Sequence, residues 1–270
     1  MAGDGAKIEG LIGREAETRR LHAALRERRS QLIWGPEHSG KTFLVTNVLA
    51  ALPAAERQRC ITWSGPATRR QLVEHLVRGL FLCGDPFVRE KVQADGCDGP
   101  ELRRWVAAQS AVRLRGVFFT AAERGDYLVF LDHFPRPRVS HAVADLLKDI
   151  MHRTKTPVFL NARGYSPAEI GCAWSLYWAD EYRLRLGPLS EIAARELLER
   201  CIERFGLSSL DLDDFRGEIL HLSGHWPGAI ARMCQLAEDP RYRYGRRVKL
   251  KLIRVDYLLQ SNRSPLAACP

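Results

Sequence analysis

Residues 35–42 read Gly35-Pro36-Glu37-His38-Ser39-Gly40-Lys41-Thr42. The stretch has the form G-x-x-x-x-G-K-T; the apolar run Gln31 to Trp34 precedes it, and a helical pattern over residues 42–52 follows. A strand before the motif and a helix after it are the context in which such a loop cradles phosphate groups. A chance match in a chain of this length has a probability of about one in a hundred. We therefore predict an α/β fold built around a phosphate-binding loop.

The residue types of this loop suit a nucleoside triphosphate with a magnesium ion. Glycines are needed because backbone amides must close around phosphate oxygens, where a Cβ would obstruct the approach. Lys41 would neutralise the β and γ phosphates of ATP, and Thr42 would supply a hydroxyl ligand to Mg²⁺. The N-terminus of the following helix would add its positive dipole end. The predicted nucleotide-binding residues of the loop are Gly35, Pro36, Glu37, His38, Ser39, Gly40, Lys41 and Thr42.

A second polar signal ends the apolar run that starts at Tyr127. Asp132 is the first polar residue of this run, and His133 follows it. Because parallel strands present their carboxyl ends at one edge of a sheet, Asp132 would emerge beside Lys41 and hold Mg²⁺ through water. A carboxylate at position 133 would activate the attacking water, and histidine stands there instead. We predict slow hydrolysis, with a catalytic role for His133 and an ordinary solvated position both open.

Composition indicates an ordinary globular chain with a basic surface. Hydrophobic residues make up 46% and charged residues 27%, which argues against extensive disorder. The net charge of +9 permits contact with nucleic acid. The seven cysteines show no C-x-x-C spacing, which argues against a zinc site and against a disulfide framework. The absence of an apolar leader and of an apolar run of about 18 residues predicts a cytoplasmic protein without membrane contact.

Short apolar runs alternate with longer helical patterns, which is typical of βαβ units on a parallel sheet. Helices are predicted over residues 42–52, 69–83, 101–124 and 141–153. Strands are predicted at Gln31 to Trp34, Cys60 to Trp63, Tyr127 to Asp132, Pro157 to Asn161 and Tyr182 to Leu186. Residues 84–100 are predicted to be an exposed insertion, because glycine or proline interrupts them at Gly84, Pro86, Gly96, Gly99 and Pro100.

Strand signals stop after Leu186, and the pattern that follows is helical. Ser190 is the predicted N-cap of a helix over residues 191–205, and two further helices are predicted over residues 213–222 and 226–237. We therefore predict a phosphate-binding domain over residues 1–187, a small all-helical domain over residues 188–240 and a basic C-terminal tail over residues 241–270.

These features together resemble the AAA+ and STAND P-loop ATPases, near the branch of the origin-recognition and archaeal ATPases. Residues 11–17, which read LIGREAE, are similar to that family's G-R-E-x-E segment, whose preceding apolar residues border the adenine. The resemblance implies that Ile12 and Arg14 contact the nucleotide. It also implies that residues 158–161 form the sensor 1 strand, whose terminal polar residue reads the γ-phosphate. Asn161 and Arg163 both fit, and Arg163 is preferred because STAND proteins favour arginine there.

The helical part resembles the lid of the same family. Residues 187–190, Gly-Pro-Leu-Ser, look like its hinge, and residues 223–228, Ser-Gly-His-Trp-Pro-Gly, resemble the G-x-P signature of its nucleotide-facing helix. The resemblance implies that Pro227 packs on the bound base. Residues 178–181 read Trp-Ala-Asp-Glu. Oligomeric relatives present an arginine finger near this position, and acidic residues stand here instead. This difference argues against assembly-dependent hydrolysis. Arg183 and Arg185 lie close by.

Residues 241–254, RYRYGRRVKLKLIR, carry seven basic residues and no acid. Two interpretations remain open. Tyr242 and Tyr244, interleaved with the basic residues, would suit phosphate contacts and base stacking on a nucleic acid. Alternatively, the charges stay solvated while the apolar residues pack as a last strand or helix. Those apolar residues are Val248, Leu250, Leu252 and Ile253.

Two functions of different class fit these observations. The first is an ATP-driven conformational switch or slow ATPase, in which ATP with Mg²⁺ closes the sheet domain and the lid and hydrolysis reopens them. The second is a DNA-binding ATPase adaptor of the replication-loader or transposition-regulator kind. The expected partner is ATP or ADP, with nucleic acid, another protein or a second copy of the chain as alternatives. A small-molecule kinase is weaker, because no acceptor site is evident.

Overall fold

All five predicted strands are present, and their bounds differ from the prediction by at most two residues. The computed structural model describes residues 11–65, 68–134 and 139–262, apart from the side chains of residues 133, 134 and 260–262. The strands are β1 Gln31–Gly35, β2 Cys60–Ser64, β3 Leu128–Phe134, β4 Val158–Arg163, β5 Arg183–Arg185, β6 Arg243–Tyr244 and β7 Arg247–Val248. The helices up to β5 are α1 Glu15–Arg26, α2 Lys41–Ala50, α3 Ala54–Arg57, α4 Arg69–Leu82, α5 Pro86–Ala94, α6 Leu102–Ala108, α7 Ala111–Arg124, α8 His141–Asp149, α9 Pro167–Ile170 and α10 Ala173–Leu176. The later helices are α11 Glu191–Arg204, α12 Asp213–Ser223, α13 Pro227–Glu238 and α14 Leu250–Asn262.

The main sheet has five parallel strands in the order β2-β3-β4-β1-β5. β1 is buried at all five positions. Strands covered on both faces read as continuous apolar runs, which is why the sequence identified them without a period-two pattern. The predicted α/β fold with a parallel sheet is confirmed. The order sets the carboxyl ends of β1, β3 and β4 side by side, where parallel sheets bind their ligands.

The described residues within 16–36 and 41–186 form one compact unit. Its apolar core joins the strands to α4, α5, α7 and α8 through fully buried side chains such as Leu76, Leu114 and Leu146. Burying each of them stabilises the fold by about 1.5–3 kcal/mol relative to leaving it exposed.

The prediction that residues 84–100 form an exposed insertion is wrong. Helix α5 occupies most of this stretch and buries Val88 and Val92 completely. Asp85 caps the helix by accepting a hydrogen bond from the Val88 amide at 2.8 Å, and it also accepts one from the Tyr127 hydroxyl at 2.6 Å. The glycines and prolines mark the ends of a short helix that belongs to the core.

Two predicted helices are not continuous α-helices. The helix over residues 101–124 is two helices, because Gln109 is extended and the Ser110 hydroxyl accepts from the Arg113 amide at 3.1 Å as a new N-cap. The helix over residues 141–153 is α-helical to Asp149 and continues as a π turn over Ile150–Thr154. Apolar periodicity continued through both points, so it could not locate these breaks.

The second compact unit contains residues 11–15, 37–40 and 187–262 of the described chain. Ser190 is the N-cap of α11 as predicted, since its hydroxyl accepts from the Ala193 amide at 3.3 Å. Gly224 ends α12 in the left-handed conformation, and Pro227 opens α13, where its missing N–H costs nothing. The division of the chain at residues 187 and 240 stays a prediction.

The basic segment after Pro240 packs on the helical unit. β6 and β7 form an antiparallel hairpin that turns at Gly245, and α14 follows. Ile253 is fully buried, and Val248 and Leu250 pack on the same core, whereas Leu252 is 48% exposed. The packing interpretation therefore holds for three of the four apolar residues. None of the helices in the described ranges combines the length and the apolar character needed to cross a bilayer.

Candidate nucleotide-binding site

The loop between β1 and α2 has the backbone of an anion-binding turn. His38 and Gly40 both have positive φ, 64° and 86°. Residues that alternate between right-handed and left-handed conformations turn successive N–H groups toward one point, where they form an anion-binding concavity. Histidine tolerates the left-handed region better than a β-branched residue does. The local geometry of residues 35–42 therefore suits phosphate oxygens.

The ammonium group of Lys41 lies over this loop. Its Nζ donates to the carbonyl oxygens of Gly35 at 3.0 Å and Pro36 at 2.7 Å. These bonds hold the positive charge of the Lys41 ammonium group over the loop. The sequence motif predicts that the β and γ phosphates of a nucleotide bind there. Thr42 follows on the first turn of α2, where it is exposed.

Asp132 and Asn161 meet across the neighbouring strands β3 and β4. The Asn161 Nδ2 group donates to Asp132 Oδ1 at 2.8 Å. The amide orientation follows from this bond, because an ionised carboxylate can only accept. Asn161 is 3% exposed, and its Oδ1 is buried without a hydrogen-bond partner in the described part of the chain. The pair thus presents an oriented carboxylate and a free buried acceptor.

The donor set at this sheet edge fits a magnesium ion. Mg²⁺ takes oxygen ligands, usually one or two side chains together with waters and substrate phosphates. The Thr42 hydroxyl and the Asp132 carboxylate are ligands of this kind. Among the described residues there is no cluster of three or more histidine, cysteine or acidic side chains that would favour another metal.

The other two predicted catalytic residues, Arg163 and His133, lie on the neighbouring strands β4 and β3. Arg163 is the last residue of β4 and pairs in register with Gly35 of β1, next to the start of the loop. Its neighbour two positions earlier, Asn161, is the residue that bonds Asp132. The backbone of His133 lies in β3, and its side chain is outside the described residues.

The predicted nucleotide contacts of Arg14 and Ile12 stay predictions, and the structure shows which protein groups these two residues contact. Arg14 is 6% exposed, and its guanidinium donates to the carbonyl oxygens of Ser39, at 3.3 Å, and of Gly187. Arg14 therefore ties the phosphate loop to the predicted hinge, a positioning task. Ile12 is half-buried against the apolar core of the helical unit.

Helix α13 approaches the loop closely. The Gly228 amide donates to the His38 carbonyl at 2.9 Å, and a Cβ added to Gly228 would lie 2.9 Å from His38 Cα. Only glycine allows this approach. A Cβ on Gly40 would lie 3.3 Å from Cγ of Pro227, so Pro227 also borders the loop. The contact of Pro227 with a bound base, which the resemblance implies, stays a prediction.

Sequence reasoning missed two residues of this site. Gly228 had been interpreted only as part of the G-x-P signature, and Tyr257 of α14 had no signal. The rings of Tyr257 and His38 are 5.7 Å apart at 45°, and both line a cavity of about 480 Å³. Nothing in the sequence of the tail, residues 241–270, indicates that helix α14 reaches the phosphate loop.

A family model for the AAA ATPase domain matches residues 10–160. This chain belongs to the AAA ATPase domain family. No curated protein matches it in sequence. The family match, with the phosphate loop, confirms the predicted resemblance to AAA+ P-loop ATPases.

Solved structures of archaeal proteins share the fold at low identity. The Walker-type ATPase PABY2304 of Pyrococcus abyssi is 18% identical with a TM-score of 0.57, over 96% of this chain and 78% of that one. The Aeropyrum pernix ORC1 protein, solved in complex with DNA, is 19% identical with a TM-score of 0.62, over 94% and 67%. CDC6P from Pyrobaculum aerophilum is 14% identical with a TM-score of 0.54, over 97% and 65%.

Proposed function

We propose that this AAA-type ATPase is an ATP-driven conformational switch of the STAND kind that hydrolyses ATP slowly. ATP would bind through the loop amides, Lys41 and the N-terminus of α2. Thr42 and Asp132 would hold Mg²⁺, which when bound neutralises charge on the phosphates. Asn161 would keep the Asp132 carboxylate in one orientation.

The observation that carries the switch is the bond from the Gly228 amide to the His38 carbonyl, at 2.9 Å. His38 belongs to the loop that must rearrange around phosphate, and Gly228 lies in the first turn of α13. Because the two backbones touch without side chains between them, a change in loop conformation displaces the helix. A ligand shifts a conformational equilibrium only through such differential contacts.

Nucleotide binding is tested first with Lys41→Ala. At about 100-fold excess over the dissociation constant, ATP with Mg²⁺ should stabilise the native protein by about 2.7 kcal/mol. The variant should lose this response, whereas Lys148→Ala, an exposed lysine on α8, should keep it. Thermal unfolding with and without ATP measures both. An unchanged ATP response in Lys41→Ala would remove the nucleotide site from this loop.

Coupling is tested with a matched pair of glycines in the helical unit. Gly228→Ala places a methyl group 2.9 Å from the His38 Cα, whereas Gly217→Ala on α12 meets nothing within 4 Å. Hydrogen exchange of α13 should respond to ATP in the parent protein and in Gly217→Ala but not in Gly228→Ala. Equal responses in both variants would contradict the switch while leaving nucleotide binding intact.

Slow turnover rests on His133, which stands where a carboxylate would activate water. His133→Glu should raise the steady-state ATPase rate if the attacking water lies within reach of position 133. If the parent protein hydrolyses ATP quickly and His133→Ala leaves that rate unchanged, another residue activates the water.

A DNA-binding ATPase adaptor is the second candidate. The supporting observation is the exposure of Tyr244, at 79%, among exposed basic residues of the hairpin. A related fold has been solved in complex with DNA. Several tail arginines are engaged within the unit, however: Arg243 donates to the carbonyls of Ala237 and Glu238, and Arg246 to that of Ser209. ATP-dependent retention on duplex DNA, sensitive to salt, would favour this candidate over the switch.

A further inference from the structure

Strand β2 forms one edge of the main sheet. It pairs with β3 on one side, and within the described residues no strand pairs with it on the other. The Leu128 amide of β3 donates to the Arg59 carbonyl just before β2, so the odd-numbered residues of this segment turn their backbone groups toward β3. Backbone groups of successive residues point to opposite sides of a strand. Those of Cys60, Thr62 and Ser64 therefore point to the open side.

The open side of β2 presents unused hydrogen-bonding groups. In the part of the chain that the structure describes, the amides of Cys60, Thr62 and Ser64 have no acceptor. Thr62 and Ser64 are also exposed. One carbonyl is engaged, because His75 Nε2 donates to the Thr62 oxygen at 2.9 Å, but a carbonyl oxygen can accept a second bond. A row of free backbone donors and acceptors is a template for another extended chain.

Helix α4 runs beside β2 in the opposite direction. His75 bonds the Thr62 carbonyl, and one turn later Gly79 packs on Ile61, where an added Cβ would lie 2.4 Å from Ile61 Cγ2. A later residue of the helix thus meets an earlier residue of the strand. Glycine at position 79 lets the helix lie this close. The side of α4 that carries His75 consequently borders the open edge of β2.

This side of α4 also carries Arg78 and Leu82. The two follow His75 by three and seven positions, which places all three residues on one side of the helix. Leu82 is 77% exposed, and Trp63 of β2, whose ring centroid lies 4.2 Å from that of His75, is half-buried. We call the backbone groups of residues 60, 62 and 64, together with the side chains of Arg78 and Leu82, the β2 edge surface. It combines hydrogen-bonding groups, an apolar side chain and one cation.

Arg78 is the unpaired charge of this surface. Its side chain is half-buried, and its Nε atom is buried without an acceptor among the described residues. It forms no ion pair with them either, whereas Arg70 on the same helix bonds Glu74 at 2.7 Å. A buried donor without an acceptor carries a desolvation cost, and a carboxylate that bonds the guanidinium group would offset it. Arg78 therefore favours an acidic partner.

We propose that the β2 edge surface binds an extended acidic segment of another protein, which adds a strand to the sheet. The backbone of the segment would pair with residues 60, 62 and 64. In this mode of recognition main-chain hydrogen bonds supply affinity and side-chain contacts supply specificity. A carboxylate of the segment would bind Arg78, and an apolar side chain would pack on Leu82. The contact uses no residue of the candidate nucleotide site.

Three synthetic peptides test the two requirements of this surface. The first is a seven-residue peptide of alternating threonine and valine with glutamate at its centre and blocked ends. In the second, lysine replaces the glutamate, and the third repeats the first with every amide N-methylated, which prevents strand pairing. The glutamate peptide should bind the full chain about tenfold more tightly than the lysine peptide, because only its charge suits Arg78. Fluorescence anisotropy of labelled peptides measures the affinities. If the methylated peptide binds as tightly as the first, the proposal is wrong.

Hydrogen exchange locates the contact. With the glutamate peptide the amides of Cys60, Thr62 and Ser64 should exchange more slowly, because they gain acceptors. Protection of residues 243–248 instead would place the peptide on the basic hairpin and overturn the proposal. Protection of β2 without any peptide, rising with protein concentration, would also overturn it, because two copies would then pair through this edge.

Matched variants test the acidic contact. Arg78→Ala should bind the glutamate and lysine peptides equally. Arg69→Ala should keep the tenfold preference, because Arg69 is an exposed arginine of the same helix, also without an ion pair in the described chain, and lies outside the β2 edge surface. Since Arg78 bonds no described residue, its loss should leave thermal unfolding and its response to ATP unchanged. A preference for glutamate that survives Arg78→Ala contradicts the proposal.

Discussion

The two compact units of this chain are built by different means. In the sheet unit, apolar runs form buried parallel strands, and polar pairs such as Asp85 with Tyr127 join distant segments. In the helical unit, which also has an apolar core, distant segments are joined at backbone atoms: the Gly228 amide donates to the His38 carbonyl, and the Arg14 guanidinium donates to the Ser39 carbonyl. The phosphate loop is divided between them: residues 37–40 belong to the helical unit, and residues 35–36 and 41–42 to the sheet unit. A motif that is continuous in sequence is therefore shaped by two kinds of packing.

The largest effect is expected at Asp85 in the sheet unit. Asp85→Ala leaves the Val88 amide and the Tyr127 hydroxyl without their acceptor in a buried site, which should cost about 2–4 kcal/mol. Burial and then the bond to Asp85 raise the pKa of Tyr127 well above its usual range, so its hydroxyl remains a donor. Denaturant unfolding measures the loss, with the exposed Asp98→Ala as control. Equal stabilities of the two variants would restore the view of residues 84–100 as a peripheral insertion.

The helical unit should respond less to the loss of Arg14. Arg14→Ala removes the donor to the Ser39 and Gly187 carbonyls and should destabilise the protein by about 1–3 kcal/mol. Arg195→Ala, which breaks an exposed pair with Glu191 one turn away, should leave the stability almost unchanged, because water and salt screen such pairs. If Arg14→Ala weakens ATP binding without affecting unfolding, Arg14 contacts the nucleotide, as the family resemblance implied.

The Asp132–Asn161 pair should affect the metal more than the fold. Asp132→Asn should weaken Mg²⁺-dependent ATP binding by roughly tenfold, the effect of losing one interaction of about 1.4 kcal/mol. Binding of ATP in the presence of EDTA should change little. Titrations at several Mg²⁺ concentrations separate the two effects, and a Mg²⁺ dependence equal to that of the parent would exclude Asp132 as a ligand.

The smallest effect is expected in the basic tail. Neutralising Arg246, Arg247 and Lys249 together would reduce the slope of log affinity against log salt on duplex DNA by at most about three units, at about 0.9 per phosphate. Because Arg246 and Arg247 already engage Ser209 and Asp211, the reduction should be smaller than this limit. A triple variant that melts early with its DNA binding unaltered would assign these residues to packing.

Much of the sheet unit could be predicted because its signals are local. The five strands are apolar runs, and the phosphate loop carries its own chemistry in eight consecutive residues. The insertion over residues 84–100 was misassigned because Asp85 gains its role from Tyr127, 42 positions away. In the candidate site, Arg163 was preferred to Asn161 on family resemblance, whereas the hydrogen bond to Asp132 comes from Asn161.

The sequence by itself determined the five strands, the loop at residues 35–42, the N-cap at Ser190 and the proline in the first turn of α13 at Pro227. Each depends on residues a few positions apart, so the chain encodes them locally. Only the tertiary structure decided that Gly228 touches His38 and that Tyr257 reaches the same loop. These contacts join residues that are distant in sequence, and a glycine or a tyrosine carries no mark of its partner until packing brings the two together.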